Sequence, residues 1–400
     1  MDIKVEEIKK KIEAILEEII LVRRDLHSHP ELSGCEKETE FRITKFLKEL
    51  KIPYENNIAG HGVSAVIYGH DKDHAVDIRA DIDALPLLEK SPVSFISQNP
   101  GVMRACGHDV HTAILLGTAK VLSSISEELP KSVRLLFQPC EETTGGAQKM
   151  IDAGCLTSPA VKSVIGLHVD PSMDAGHIKL VPGAANAASS EFYVTVLGES
   201  CHAAHPDNGV DPLLPACQMV SALQSIISQK IDPTDRALLT VGQLHSGNKN
   251  NIIPSEAKFS GVIRTLEDRN QSIIKEKLLN ICTSIASAYG AGCHIEFINS
   301  YPILENDPFL LGWVKEVGEN ALGPKYVHVI RKPSLGTDDF SYFCHGTRGL
   351  YYDIGVRKPG EKNWPPLHSE FFAVDETCIS IGILTEVLSV LKIMEEESKE

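Results

Sequence analysis

Apolar residues near the amino terminus recur with the period of a helix. The series starts at Val5, Ile8, Ile12 and Ile15 and continues at steps of three and four to Leu26. Lysine and glutamate occupy most positions between them. The pattern therefore predicts an amphipathic helix with one buried face.

Short apolar segments then alternate with helical ones over the following 140 or so residues. The predicted strands are VSAVIYG, AVDIRADID, SVRLLFQPC and SVIGLHV, and the helices between them are DVHTAILLGTAKVLSSIS and GGAQKMIDAG. Strands that are separated by helices are typical of an α/β domain. We therefore predict a catalytic domain with a central, mostly parallel sheet flanked by helices.

The pattern changes after Gly183. The next segments read as strand, helix, two strands, helix and strand, from EFYVTVLGES to CHIEFIN. This βαββαβ order is that of a ferredoxin-like α+β unit. The α/β pattern then resumes with DPFLLGWVKEVGENAL, GLYYDIGV and a last helix. We predict a larger domain of residues 1–185 and 299–400 and a smaller domain, 186–298, inserted into it.

Composition narrows the classes of function. The net charge is −15, and an acidic chain lacks the basic patch that nucleic-acid binding requires. We see no apolar run long enough to cross a bilayer and no secretory signal. Ten cysteines are scattered without the close spacing of a disulfide framework, which favours a cytoplasmic location. Together these features predict a cytoplasmic protein that binds neither membrane nor nucleic acid.

Side chains able to bind metal or transfer protons collect where predicted strands end. Because ligands bind beyond the carboxyl ends of strands in open α/β sheets, such side chains are expected to meet at one edge. Carboxylates and imidazoles from several strands are what a metal-centred hydrolase needs. The candidates are Asp81, Asp83, Cys106, His108, Glu141, Glu142 and His168, with His368 nearer the carboxyl terminus.

Each candidate also has an ordinary structural interpretation. A single histidine such as His168 is more often a structural residue than a ligand, and Cys106 alone would be a packing residue. Glu141 and Glu142 could form a solvated turn. The metal-site hypothesis depends on the coincidence of several strand ends, since any one of them has little weight.

The inserted domain carries its own candidates, His202, His205 and Asn251 among them. Arg264 lies in the middle of an otherwise apolar predicted strand. A guanidinium that binds a substrate carboxylate would explain its position. An intramolecular ion pair would explain it equally well, and the pattern does not decide between them.

Nine motifs together resemble the metal-dependent aminoacylase/carboxypeptidase family. They are RRDLHSHPELSGCE, RADIDALPL, MRACGHDVHTA, FQPCEE, GLHVDP, HAAHPD, NNIIP, GTDDFSYF and LHSEFF, spread in this order over nearly the whole chain. The branch that they resemble contains hippurate hydrolases, auxin-conjugate hydrolases and N-acetyldiaminopimelate deacetylases. The resemblance implies a two-metal catalytic domain with an inserted lid and dimerisation domain.

The resemblance also implies a role for each residue of the centre. Two divalent ions (zinc, manganese, nickel or cobalt) would be held by Cys106, His108, Glu142, His168 and His368. Glu141 would be the general base that deprotonates the bridging water, and Asp83 would orient a ligand from behind the site.

The substrate side of the site follows from the same resemblance. His202, supplied by the lid of a partner subunit in a homodimer, would stabilise the oxyanion together with Asn251. Arg264 would bind the α-carboxylate of a small-molecule N-acyl amino acid.

Three positions depart from the family pattern. Asp338 stands where relatives commonly have a glutamate, so its shorter side chain leaves its role open. Cys201 replaces a glycine before His202. His205 replaces a methionine, which is expected to alter the substrate side-chain pocket.

We therefore predict a metal-dependent amidohydrolase that cleaves N-acyl amino acids into a carboxylic acid and an amino acid. A dipeptidase or carboxypeptidase with the same two-metal site is the alternative. A cysteine hydrolase with Cys106 as nucleophile leaves Glu141, Glu142, His168 and His368 unexplained. A non-catalytic binding protein leaves the complete ligand set unexplained.

Overall fold

A computed structural model describes residues 5–399. The helices are α1 (Val5–Ser28), α2 (Lys37–Glu49), α3 (His108–Ser123), α4 (Ala147–Asp152), α5 (Leu213–Lys230), α6 (Asp268–Ala288), α7 (Pro308–Ala321), α8 (Ser341–Gly346) and α9 (Cys378–Glu397). The strands are β1 (Tyr54–Ile58), β2 (Gly62–Ile67), β3 (Asp71–Asp81), β4 (Lys131–Gln138), β5 (Ala160–Asp174), β6 (Ile178–Leu180), β7 (Gly183–Asn186), β8 (Ala188–Leu197), β9 (Cys201–His202), β10 (Ala237–Ser246), β11 (Ile252–Ile253), β12 (Glu256–Thr265), β13 (Gly292–Asn299), β14 (Leu304–Asn306), β15 (Val327–Val329) and β16 (Arg348–Arg357).

The chain divides into two compact units. The first comprises the described parts of Met1–Gly183, Glu305–Lys332 and Asp339–Glu400, and the second comprises Ala184–Leu304 and Pro333–Asp338. No helix within residues 5–399 is both long enough and apolar enough to cross a membrane.

An eight-stranded sheet with the order β1-β2-β4-β3-β5-β16-β6-β15 forms the centre of the first unit. Its middle strands β4, β3, β5 and β16 run parallel to one another, and β2 and β6 pair antiparallel with β4 and β16 on the two sides. The predicted α/β fold with a central, mostly parallel sheet is thus confirmed. Parallel strands matter for the site because their carboxyl ends share one edge.

Helices α1, α3 and α9 pack against one another beside this sheet. Two glycines allow α3 and α9 to approach closely. A Cβ atom on Gly117 would lie 2.4 Å from Ile383 Cδ1, and one on Gly382 would lie 2.4 Å from Ile114 Cδ1. Since α3 begins at the predicted ligand His108, this packing anchors the helix that carries it.

A buried carboxyl group lies in the same interface. Glu386 of α9 is 1% exposed and accepts a hydrogen bond of 2.7 Å from the Thr118 hydroxyl of α3. Burial raises the pKa of Glu386 from 4.5 to about 8, against the opposing effect of the Thr118 hydrogen bond. The folded protein therefore keeps this group protonated at neutral pH.

Glu386→Gln is expected to make the melting temperature less dependent on pH. In the wild type the unfolded chain loses this proton near pH 4.5 and the folded chain only near pH 8, so stability falls as pH rises between the two values. Glutamine removes this contribution and should stabilise the protein most near pH 8. Melting curves across this range test it, and parallel curves for wild type and variant would contradict it.

The second unit contains a four-stranded antiparallel sheet with the order β10-β12-β8-β13. Helices α5 and α6 pack on one face of it, around a core that includes Phe192, Leu223, Ile263 and Leu278. This is the strand order of the ferredoxin-like βαββαβ unit. The short strands β9 and β11 pair separately, with His202 opposite Ile252.

Candidate metal centre

Three neighbouring strands bring the predicted ligands of the first unit to one edge of the sheet. Strand β3 ends two residues before Asp83, and β4 ends shortly before Glu141 and Glu142. His168 lies on β5 beyond the last residue of that strand that pairs with β3. Because the three strands are parallel, side chains far apart in sequence converge there.

Gly107 shapes the turn between Cys106 and His108. Its φ angle is +83°, a conformation that side chains other than glycine rarely adopt, and a Cβ atom there would lie 2.5 Å from Val169 Cγ2. The turn therefore needs a glycine on both counts. Helix α3 starts immediately afterwards at His108.

His368 reaches the same place from a loop before α9. Its backbone has a left-handed φ of 61°, and its N–H donates to the carbonyl of Ala105 at 2.9 Å. That hydrogen bond joins the loop to the residue next to Cys106. Tertiary structure thus brings His368 beside Cys106, which lies 262 positions before it in the chain.

The donor atoms of all five predicted ligands lie close together. Cys106 Sγ is 3.4 Å from His168 Nε2 and 3.3 Å from His368 Nε2. Glu142 Oε1 is 3.4 Å from His368 Nε2 and 3.8 Å from His108 Nε2. We call these five residues the ligand cluster.

Hydrogen bonds at the outer nitrogens leave the inner nitrogens of two histidines aimed at the cluster. His168 Nδ1 donates to the carbonyl of Val169 at 2.8 Å, and His108 Nδ1 donates to Asp83 Oδ1 at 3.0 Å. His108 Nε2 is buried and has no hydrogen-bond partner within residues 5–399. A buried nitrogen without a partner is costly, and a bound cation would satisfy it. The donor set of thiol, imidazole and carboxylate suits a divalent transition metal.

The charges around the cluster also favour a cation. Burial lowers the pKa of His108, but Asp81, Asp83 and Glu142 outweigh it and raise this pKa to about 10. Burial and the carboxylates of Glu142, Glu141 and Asp81 raise the pKa of the Cys106 thiol well above its usual range. A neutral thiol is a poor nucleophile, so these surroundings disfavour a cysteine hydrolase.

The two remaining predicted residues of the first unit adjoin the cluster. Glu141 is buried, and its carboxylate lies within 4.8 Å of ligand atoms of His108 and Glu142. Asp83 accepts hydrogen bonds from His108 Nδ1, from the Ser33 hydroxyl at 2.7 Å and from the backbone N–H of Glu142 at 3.0 Å. Asp83 is therefore placed to hold two members of the cluster at once.

The predicted substrate-binding residues belong to the second unit. Asn251 accepts a backbone hydrogen bond from Ala203, next to His202, at 3.1 Å. His202 Nδ1 accepts the N–H of Ala204 at 3.0 Å, so the proton of the neutral ring is on Nε2. His205 and Asp338 also lie in this unit, exposed and buried respectively.

Arg264 is half-buried on β12 and donates to the Thr337 hydroxyl at 3.4 Å. Among residues 5–399 it forms no ion pair with a carboxylate within 4.0 Å. Burial lowers the pKa of its guanidinium, and the charge of Glu191, at longer range, opposes this effect. Of the two interpretations of this residue, a close intramolecular ion pair is therefore not formed among residues 5–399. A desolvated guanidinium with one weak hydrogen bond suits an anionic ligand.

The sequence did not reveal the buried polar network behind the cluster. Arg79 donates to Asp81 at 2.7 Å, to Gln138 at 2.8 Å and to Asp339 at 3.0 Å. Asp339 also accepts the backbone N–H groups at the start of α4. The sequence feature that could have indicated this network is Arg79, a charged residue inside the otherwise apolar strand AVDIRAD. Arg264 was noticed for the same reason.

Comparisons with known proteins agree with this geometry. The chain is 37% identical to an N-acetyl-L-cysteine deacetylase of Bacillus subtilis, over 90% of this chain and 85% of the relative. It is 35% identical to thermostable carboxypeptidase 2 of Saccharolobus solfataricus, over 97% and 98% of the two chains.

Among solved structures, the chain is similar to the Bacillus subtilis YXEP protein, described as a dinuclear metal binding peptidase. The TM-score is 0.84 at 30% identity, and the match covers 96% of this chain and 99% of the other. The model of peptidase family M20/M25/M40 matches residues 78–389, which span the ligand cluster, Glu141 and the whole second unit. This hydrolase chain belongs to peptidase family M20/M25/M40.

Proposed function

We propose that the protein is a metal-dependent amidohydrolase that releases a carboxylic acid and a free amino acid from N-acyl amino acids. The observation that supports this most is the ligand cluster, in which donor atoms from separate elements converge beside the carboxylate of Glu141. A relative named as a deacetylase of an N-acetyl amino acid supports the class of substrate.

Cys106, His108, Glu142, His168 and His368 would hold two divalent ions. When bound, such ions polarise the amide carbonyl and make the attacking water more acidic. The protein's own contribution is to fix the ligands. Asp83 holds the His108 ring, and the carbonyl of Val169 holds the His168 ring.

Glu141 would move the proton. Its carboxylate takes a proton from the attacking water as the new C–O bond forms, and one oxygen then carries it. The same oxygen donates this proton to the amide nitrogen as the C–N bond breaks, so Glu141 leaves the cycle unchanged. Its buried position beside Glu142 keeps bulk water from taking over this role.

The second unit would bind the substrate. His202 can donate from Nε2 to the carbonyl oxygen, on which negative charge grows in the transition state, because its Nδ1 is already occupied by the Ala204 N–H. We propose that Asn251 assists it and that Arg264 binds the substrate carboxylate.

We also propose that His202 acts on the partner chain's site in a homodimer and that the second unit serves as its lid. Sedimentation at working concentration tests the dimer.

Peptide cleavage is the second candidate, because another relative of similar identity is named a carboxypeptidase. Both reactions cleave an amide bond with the same residues, and they differ in whether the acyl side carries a free amino group. Acetyl-, benzoyl- and longer acyl-amino acids should be compared with the matching dipeptides by detecting the released amino acid. Faster turnover of dipeptides would overturn the proposed substrate class.

Arg264→Ala is expected to raise KM for substrates with a free carboxylate by about 10- to 100-fold, as loss of a charge-assisted hydrogen bond implies, with a smaller change in kcat. Arg264→Lys should recover only part of the loss, since it cannot bind bidentately. The matched test compares each substrate with its methyl ester. If wild type hydrolyses acid and ester equally well, Arg264 does not bind this carboxylate.

A further inference from the structure

We propose that His111 is a positioning residue that fixes the backbone of β5 at Val169 and thereby aims His168 at the ligand cluster. The inference rests on the proposed function, because it assigns the purpose of the network to metal binding. The network lies at the edge of the sheet where His168 is found.

Strand β5 extends beyond the end of β3, its neighbour on one side. Its pairing with β3 ends at Arg79 opposite Gly166, whereas β5 itself extends to Asp174. The N–H of Val169, in the stretch beyond this pairing, donates to His111 Nε2 of α3 at 3.0 Å. A side chain of a helix thus supplies the acceptor that a neighbouring strand would otherwise provide.

The rest of the network keeps the His111 ring in one state. Since Nε2 accepts a hydrogen bond, Nδ1 carries the proton, and it donates to Asp81 Oδ1 at 2.6 Å. The other oxygen of Asp81 accepts from Arg79 at 2.7 Å. All three side chains are at most 1% exposed. The buried Arg79–Asp81 ion pair therefore fixes both the tautomer and the orientation of the ring.

These hydrogen bonds also exclude His111 as a ligand. Asp81, His108 and His111 bring potential ligand atoms within 4.8 Å of one another, so distance alone would allow a metal site there. Both nitrogens of His111 and both oxygens of Asp81 are engaged with protein partners. The triad is thus a hydrogen-bonded support and not a separate metal site.

Val169 transmits this support to His168. Its N–H is held by His111, its side chain packs against the Gly107 turn, and its carbonyl accepts the Nδ1 proton of His168. Strand β16 pairs with this backbone on its other side, at Ile354 opposite Val169, so loss of the His111 acceptor would release only the side that faces β3. The side chains of His111 and His168 are themselves close, with ring centroids 4.7 Å apart.

The test compares His111→Ala, His111→Gln and the control Thr118→Val. Glutamine can both accept from Val169 and donate to Asp81, whereas alanine can do neither. Thr118 is a buried hydrogen-bonding residue of the same helix that contacts Glu386 instead. Two quantities are measured: hydrogen exchange of the peptide containing Val169 in metal-free protein, and the Kd of Mn²⁺ by titration calorimetry.

We expect His111→Ala to expose Val169 to exchange and to weaken Mn²⁺ binding about 10-fold. This is the lower end of the range for direct partners of metal-ligating histidines, because His111 acts on His168 through Val169. His111→Gln should recover most of both, and Thr118→Val should change neither. Wild-type exchange and wild-type affinity in His111→Ala would overturn the positioning role.

The glutamine variant decides the question if the alanine variant does not fold. If Val169 is protected from exchange in His111→Gln and this variant binds Mn²⁺ nearly as tightly as wild type, the proposal is supported. If Val169 is protected but Mn²⁺ binding is much weaker than in wild type, the proposal is contradicted. Failure of the proposed function is recognised separately, because wild type itself would then bind no divalent metal.

Discussion

Replacing Glu141 by glutamine is expected to reduce kcat by about 10²- to 10⁴-fold, the range for loss of a general base, while metal content stays at the wild-type level. The glutamine side chain has the same size but cannot take a proton from water. Glu141 is not among the five residues whose donor atoms form the ligand cluster, so the cluster should stay intact. Amino acid release measures the first effect and elemental analysis of the purified variant the second.

Glu142→Gln is the matched control for this prediction, since it changes the adjacent residue in the same way. Its carboxylate lies 3.4 Å from His368 Nε2 within the cluster, so this variant should lose both metal and activity. Metal content would then distinguish the role of Glu141 from that of Glu142. Loss of metal from Glu141→Gln, or turnover within a factor of a few of wild type, would contradict the assignment of Glu141.

Removal of divalent metal is expected to abolish hydrolysis, and added metal should restore it. An amide carbonyl is a weak electrophile, and the five cluster residues include no lysine or arginine that could polarise it. Dialysis against a chelator, followed by titration with Zn²⁺, Mn²⁺, Ni²⁺ or Co²⁺, tests recovery and compares the ions. Full activity in protein shown by elemental analysis to be metal-free would refute the two-metal mechanism.

Metal removal should also change the chemistry of Cys106. Without a cation the Cys106 thiol is protonated and buried. Transient opening of the protein around the cluster would still expose this thiol to slow oxidation. We expect metal-free protein kept in air to recover less activity on metal addition than protein kept with a thiol reductant. Mass spectrometry should find added oxygen on the peptide containing Cys106 in the protein kept in air, and an unmodified peptide would contradict this prediction.

Much of the ligand cluster could be predicted from sequence because of one regularity of α/β folds. Apolar strands in parallel alignment deliver the residues that follow them to a common edge. The positions of Asp83, Glu141 and His168 at predicted strand ends therefore implied their proximity before any distance was known. Cys106 and His108 were added by their turn. His368 was a candidate by residue type alone, and only the family resemblance grouped it with the other ligands.

Hydrogen-bond partners could not be predicted in the same way. His111 follows His108 by three residues, and both are buried histidines of one helix. His108 directs at the cluster a nitrogen without a hydrogen-bond partner among residues 5–399, whereas both nitrogens of His111 are engaged. Residue type and spacing cannot distinguish these cases, because the difference depends on which atoms of β3 and β5 lie opposite each ring.

The sequence by itself determined the α/β class, the inserted βαββαβ segment and the set of residues from which a metal centre could be built. These properties follow from periodicity and from residue type, which are local. Only the tertiary structure decided three points: His108 Nε2 has no hydrogen-bond partner among residues 5–399, Arg264 has no carboxylate within 4.0 Å among them, and Asp81 supports His111. Each of these depends on distances of about 3 Å between segments remote in sequence, at which hydrogen bonds form or fail.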